Sequence, residues 1–335
     1  MSPSTTLSVV LPNYNHSAYL RESLNAVFSQ SYQPLEVIVI DDASTDNSLE
    51  ILEGFTSQHA HLRVLKNAKN IGCVGTLARG LSEAKGTYIT CPAADDVLLP
   101  GFFEKSLKLL IHNDQAGLCT TQSKIISTDG TPLGQVRSPN LLAQPGYVNS
   151  EKFLASLYTY GSWIMGNATV YNRRFLMEAG GYRSELRSFC DGFMQMVLGM
   201  RHGICFIPEP LAAWRKQAGT FSASIAADSV AAEDVINVAT RLMGSEYRKE
   251  FPDDLIVRQR NRMLFSTRVS SMSAGCVKAT EDFKLAHNGQ GIVSTLLRGL
   301  YGYMASAKIF LGTIYYLLKY RMRDISNLVH HKVRG

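Results

Sequence analysis

From Leu7 to about Gly130, short apolar runs alternate with stretches whose apolar residues recur at helical spacing. "LSVVLP" is almost continuously apolar, the pattern of a strand covered on both faces. In "SAYLRESLNAVFSQSY", Leu20, Leu24, Val27 and Phe28 fall at i, i+4, i+7 and i+8, which predicts an amphipathic helix with Ser17 able to cap its start. "LEVIVIDD" predicts a second buried strand ending on Asp41 and Asp42, and "STDNSLEILEGF" a helix closed at Gly54. "LRVLKN", "VGTLARGLSEAKG" and "GTYITC" then predict a strand, a helix and a fourth strand. Strands and helices alternating in this way form βαβ units, so the expected class is α/β, with a Rossmann-like, mostly parallel sheet flanked by helices.

Past Pro100 the rhythm changes. "GFFEKSLKLLIHN" predicts an amphipathic helix and "GLCTTQSKIISTDGT" a strand running into a turn at Asp129 and Gly130. Residues 131–149, rich in Pro, Gly, Asn and Gln, predict a long surface loop. "SEKFLASLYTYG" is a further helix, and "NATVYNRRFLMEAGGY" a strand and then a helix stopped by Gly180 and Gly181. "DGFMQMVLGMRHG" predicts a helix beginning at Asp191, and "ICFIPEPLAAWRKQ" a short strand pair. The expected organisation is one domain over residues 1–225, divided near residue 100, with a helical appendage over 226–335.

In such a sheet, ligands gather at the carboxyl ends of the strands, and here those ends carry "PNYN", "DD" and "AADD". Asp95 and Asp96 are adjacent like charges at one such end. A divalent cation holding a phosphate ester accounts for them, and so does a solvated loop that caps the helix near Pro100. There is no GxGxxG after the first strand and no GxxxxGK[ST], so the common phosphate cradles are absent.

Composition narrows this little. The chain has 335 residues, 45% apolar and 19% charged, with a formal charge of +6. Its six cysteines lack the spacing of a zinc site or a disulfide framework. The opening "MSPSTTLSVVLPNYN" has no basic-then-apolar leader, which points to a cytoplasmic location. Near the other end, Leu300, Met304, Ala307, Leu311, Ile314 and Leu318 form one apolar stripe in a basic segment. Its unbroken apolar run, 309–318, is shorter than the ~20 residues a spanning helix needs. The expectation is a helix lying on the inner membrane face, against the alternative of packing on its own domain or on a second copy.

Taken in order, "SVVLPNYNHSAYLRESLNAVFSQSY", "LEVIVIDDASTDNS", "NIGCVGTLARGLSEAKGTYI", "AADDVLLPG", "AGGYRSEL" and "CDGFMQMVLGMRHG" resemble the inverting family-two glycosyltransferases of the GT-A fold, over roughly residues 7–222. The resemblance implies a nucleotide-diphosphate sugar donor, UDP-sugars favoured, a divalent metal (Mn2+ or Mg2+) and a glycan or lipid-linked acceptor. It implies cell-surface polysaccharide synthesis, no nucleic acid, and leaves a homo-oligomer open. The alternative is a non-catalytic nucleotide-sugar-binding or scaffold subunit.

By the same resemblance Asp95 is the principal metal ligand, with Asp96 beside it. Pro12, Tyr14 and Asn15 line the first-strand loop, Asp41 and Asp42 reach the base or ribose, and Asn70 and Gly72 close over the nucleotide. Arg215 neutralises the diphosphate. Asp191 is the general base, the alternative being a plain helix cap. The chain departs from the family pattern where Ala93 replaces the first carboxylate of the metal motif. It departs again at Cys190, which precedes the base, and at Ala78 and Gln217, where Asn and His are usual.

Overall fold

The computed structural model describes residues 5–136, 138–217, 228–264 and 266–267. Cys276 and the apolar, basic C-terminal stripe lie outside the described residues. The chain forms two compact units, one comprising Met1–Gly219 with Ser245–Pro252, the other Thr220–Gly244 with Asp253–Gly335.

The first unit opens with β1 (Leu7–Asn13), α1 (Ser17–Phe28), β2 (Glu36–Asp41), α2 (Ser48–Thr56), β3 (Leu62–Lys66), α3 (Cys73–Glu83) and β4 (Tyr88–Thr90). Then come β5 (Val97–Leu98), α4 (Phe102–His112), β6 (Leu118–Ile126), β7 (Pro132–Gln135), β8 (Gly146–Val148) and α5 (Ser150–Tyr160). It continues through β9 (Thr169–Asn172), α6 (Arg173–Glu178), α7 (Cys190–His202) and β10 (Ile204–Arg215). The strands make one sheet in the order β3-β2-β1-β4-β9-β6-β10-β5, with β7 on β6 and β8 on β10.

The expected parallel arrangement holds from β3 through β4. Beyond it the sheet is mixed, because β9 enters antiparallel to both β4 and β6, while β6 and β10 run parallel. Every residue of β2 is buried, as the apolar run required. Each such Val or Ile contributes about 1.5–3 kcal/mol of burial. Leu20, Leu24 and Val27 turn the helical stripe of α1 into the same core.

Two expectations change. The segment 131–149 is not wholly loop, since it contributes the short strands β7 and β8. The "strand pair" at 204–215 is a single strand: register shifts on either side of Pro210 absorb the prolines as bulges while pairing to β6 continues to Arg215. That continuity carries Arg215 and Gln217 to the carboxylate edge.

The second unit contains a helix over Ser229–Gly244 and helical residues at 253–264. Asp228 caps the first helix, its Oδ1 accepting from the N–H groups of Val230 and Ala231 at 3.0 and 3.1 Å.

Candidate active site

The β1–β2 register pairs Asn13 with Asp41, so the two side chains meet at the carboxyl edge. Asn13 Nδ2 donates to Asp41 Oδ1 at 2.9 Å and to Ser44 Oγ at 3.1 Å. Asp41 Oδ2 accepts from the Ser44 N–H at 3.0 Å. Asn15, held at a left-handed φ of 55°, accepts on Oδ1 from the Thr45 N–H at 2.8 Å and so clasps the loop after β2. Asp42 accepts from Asn67 Nδ2 at 2.7 Å, from the Ile71 N–H at 2.9 Å and from the Gly72 N–H at 2.9 Å. Asn70 Oδ1 shares that Gly72 donor. Gly72 has a φ of 84°, a conformation that favours glycine, and it stands immediately before α3.

Asp41 and Asp42 are only 1% and 3% exposed, with the oxygens of both already hydrogen-bonded inside the chain. Their observed task is to shape the loops that border the cleft, a task shared by Asn13, which the sequence reading passed over. Tyr14 is 44% exposed, so it is no core residue, and Pro12 is half-buried at the end of β1.

Asp95 and Asp96 follow β4, both buried. Asp96 Oδ1 accepts from the backbone N–H of Arg215 at 2.8 Å, and Asp95 Oδ2 accepts from Gln217 Nε2 at 2.6 Å. Burial, and then the neighbouring Asp95 charge, push the Asp96 carboxyl up to about 8. Ala94 is part of the hydrophobic core and Ala93 uses its carbonyl to accept from Ser23 Oγ and the Asp96 N–H. The missing carboxylate of the motif is thus replaced by packing beneath the loop.

Arg215 requires a correction. Its guanidinium is turned inward and the residue is 1% exposed. Nε donates to the Asp95 carbonyl at 2.8 Å, Nη1 to the carbonyls of Ser127 and Thr128 at 3.1 Å, and Nη2 to the carboxylate of Glu22. The same group lies 4.7 Å over the Tyr19 ring. Four of its five N–H donors are taken, so Arg215 is a strut under the Asp95–Asp96 loop and has little left to offer a diphosphate.

Asp191 is the second residue of α7, and its Oδ1 accepts from the Gly192 N–H at 2.7 Å. Proximity to the helix start should hold its pKa down, yet burial prevails and raises it. Its other oxygen lies against Gly166: a Cβ built on Gly166 would sit 2.1 Å from Asp191 Oδ2. The next residue, Asn167, has its amide beside Asp96. Consecutive Cα atoms are about 3.8 Å apart, so one dipeptide lies beside both carboxylates.

Cys73 at the start of α3 reports the same gathering. Burial first, then the charges of Asp191, Asp42 and Asp95, push its thiol up to about 12. The charges of Asp191, Asp42 and Asp95 thus all reach one thiol.

Among the described residues no group of three or more His, Cys, Asp or Glu side chains is set to hold a metal. The protein offers the adjacent pair Asp95 and Asp96, with Asp96 short of compensating charge. That donor set fits a hard cation taking one or two carboxylates and drawing its remaining oxygens from substrate and water, the habit of Mg2+. It does not fit a metal caged by protein.

Residues 8–173 match the family described as glycosyl transferase family 2. Over those residues the chain carries a glycosyl transferase family 2 sequence. Among curated family relatives, it is 41% identical over 101 residues to glycosyltransferase GlyG of Streptococcus pneumoniae, covering 30% of this chain and 34% of that protein. It is 29% identical over 137 residues to the putative teichuronic acid biosynthesis glycosyltransferase TuaG of Bacillus subtilis, covering 41% and 54%. The chain spans less than half the length of the first curated relatives it matches.

Its fold is that of GT-A enzymes. S. aureus TarS 1-349 in complex with UDP-GlcNAc superposes with a TM-score of 0.59 at 19% identity, over 80% of this chain and 73% of that one. The mannosyltransferase PcManGT from Pyrobaculum calidifontis, in complex with GDP-Man and Mn2+, gives 0.54 at 13% identity, over 96% and 88%. Among the described residues no helix is long and apolar enough to cross a membrane.

Proposed function

We propose that this family 2 chain is a metal-dependent inverting glycosyltransferase. It moves a sugar from a nucleotide-diphosphate donor, with UDP-sugars favoured, to a hydroxyl of a glycan or lipid-linked glycan in cell-surface polysaccharide synthesis. The observation that carries this is Asp191: a half-buried carboxylate whose pKa desolvation raises, one oxygen fixed by the Gly192 N–H and the other against Gly166, whose neighbour Asn167 has its amide beside Asp96. Carboxylates of that kind suit general bases.

The acceptor hydroxyl attacks the anomeric carbon and gives its proton to Asp191 as the bond to the leaving nucleoside diphosphate breaks. Attack opposite the leaving group inverts that carbon. A divalent cation, when bound at Asp95 and Asp96, offsets the charge that develops on the diphosphate oxygens. Gln217 fixes one oxygen of Asp95, and Arg215 holds the loop from below. The donor complexes of TarS and PcManGT support a nucleotide-sugar ligand, and the TuaG likeness supports a role in polysaccharide synthesis.

The test is release of nucleotide from a panel of UDP-, GDP- and dTDP-sugars with and without Mn2+. Turnover of at least one donor that requires Mn2+ and falls at least about 100-fold in Asp191→Asn supports the assignment. Failure of every donor with metal present, in both turnover and thermal-shift binding, overturns it.

A further inference from the structure

Gly166 has no backbone reason to be glycine, because it is absent from the residues with left-handed φ. It has a steric one. The three atoms nearest a Cβ built there all belong to Asp191: Oδ2 at 2.1 Å, Cγ at 3.2 Å and Cβ at 3.7 Å. The carboxylate of the base occupies the space in which every other residue would carry a side chain.

That packing selects one setting of Asp191. With Oδ1 tied to the Gly192 N–H, rotation of the carboxylate is the only freedom left to Oδ2, and the flat face of Gly166 stops it. Asn167, joined to Gly166, is 9% exposed and has its amide beside Asp96. Nothing in the order of residues marks this position, since it lies 25 residues before Asp191 in an unremarkable "MGNA".

We propose that Gly166 is the positioning residue of the general base, holding Asp191 Oδ2 where the acceptor hydroxyl delivers its proton. The inference rests on the reading of Asp191 as base. Substitution by alanine then adds one methyl group whose three nearest atoms all belong to the Asp191 side chain, so the strain falls first on the proton acceptor and turns it away.

The experiment compares wild type with Gly166→Ala, Asp191→Asn, the double variant, and Gly54→Ala as control, where an added Cβ meets nothing within 4 Å. Gly166→Ala is expected to lower kcat at least about 30-fold, to leave donor KM within about threefold, and to shift the acid limb of the kcat–pH profile toward the ordinary carboxylate range. In the Asp191→Asn background the same substitution should cost almost nothing further. If Gly166→Ala instead melts early, Asp191→Ala added to it should restore the melting temperature, since the colliding group is gone.

Near-normal kcat in Gly166→Ala, an undiminished further loss in the Asp191→Asn background, or early melting that Asp191→Ala fails to restore would each overturn the inference. Full activity in Asp191→Asn would instead overturn the base assignment itself, which separates the two failures.

Discussion

The two edges of the parallel part of the sheet carry carboxylates treated in different ways. At the entry end Glu36 sits beside Ser8 in register and accepts from the Ser8 hydroxyl at 2.8 Å, the Lys85 N–H at 2.7 Å and Arg63 at 3.0 Å. Burial pushes Glu36 up, but those partners outweigh it and leave the carboxyl below its ordinary value. At the carboxyl edge Asp41 and Asp42 are likewise paired within the chain, but Asp96, after β4, and the half-buried Asp191, on α7, have too few partners and are pushed up by desolvation. The first arrangement is completed by the protein and serves stability. The second is left incomplete, which is what a site needs if a cation and a substrate proton are to complete it.

The strongest way to break this contrast is Glu36→Ala. It leaves the buried Ser8 hydroxyl without its acceptor and removes the partner of the Lys85 N–H and of Arg63, and should cost about 3 kcal/mol in denaturant unfolding while kcat is unchanged. A cost below about 0.5 kcal/mol would mean that the entry end is no anchor.

Proton linkage sharpens the contrast with opposite signs. Glu36, lowered in the folded state, stabilises the protein above the unfolded carboxylate pKa and loses that contribution as pH falls through its folded value. Asp96, raised to about 8, favours the folded state most below the unfolded pKa, and that contribution disappears as pH rises toward and through 8. Metal-free protein should therefore lose a few degrees of melting temperature between about pH 5 and pH 9, a loss that shrinks in Asp96→Asn or on adding Mn2+. A slope identical in all three conditions would remove Asp96 from the account.

The smallest expected effect concerns Cys73. With its thiol pushed up to about 12, alkylation at pH 8 should be slow in the metal-free protein and moderately faster once Mn2+ offsets the Asp95 charge. Mass spectrometry of the modified peptide reads the change directly, and a rate indifferent to Mn2+ would place the cation elsewhere.

The strands and helices up to β4 were legible because apolar periodicity is a local property and both faces of that sheet are covered. The carboxylates of the cleft were legible for a related reason: strand ends in a βα fold point to one edge. Strand β10 was misread as two because Pro208 and Pro210 break a pattern without breaking the pairing. Strand β7 is exposed throughout and offers no alternation to detect. Arg215 was read as a ligand because the family resemblance sets an arginine near the diphosphate, and its partner Glu22 is 193 positions away in sequence. Gly166 was missed because its importance is a volume that another residue fills.

The inward Arg215 also bears on how this enzyme could be taken apart. Its one guanidinium grips α1 through Glu22, the loop after β4 through Asp95 and the turn after β6 through Ser127 and Thr128. A fragment cut near residue 100 would keep the acidic loop but lose the latch that shapes it. Recombining donor and acceptor halves from different homologues should therefore succeed only where the graft carries the arginine together with its carbonyl and glutamate partners.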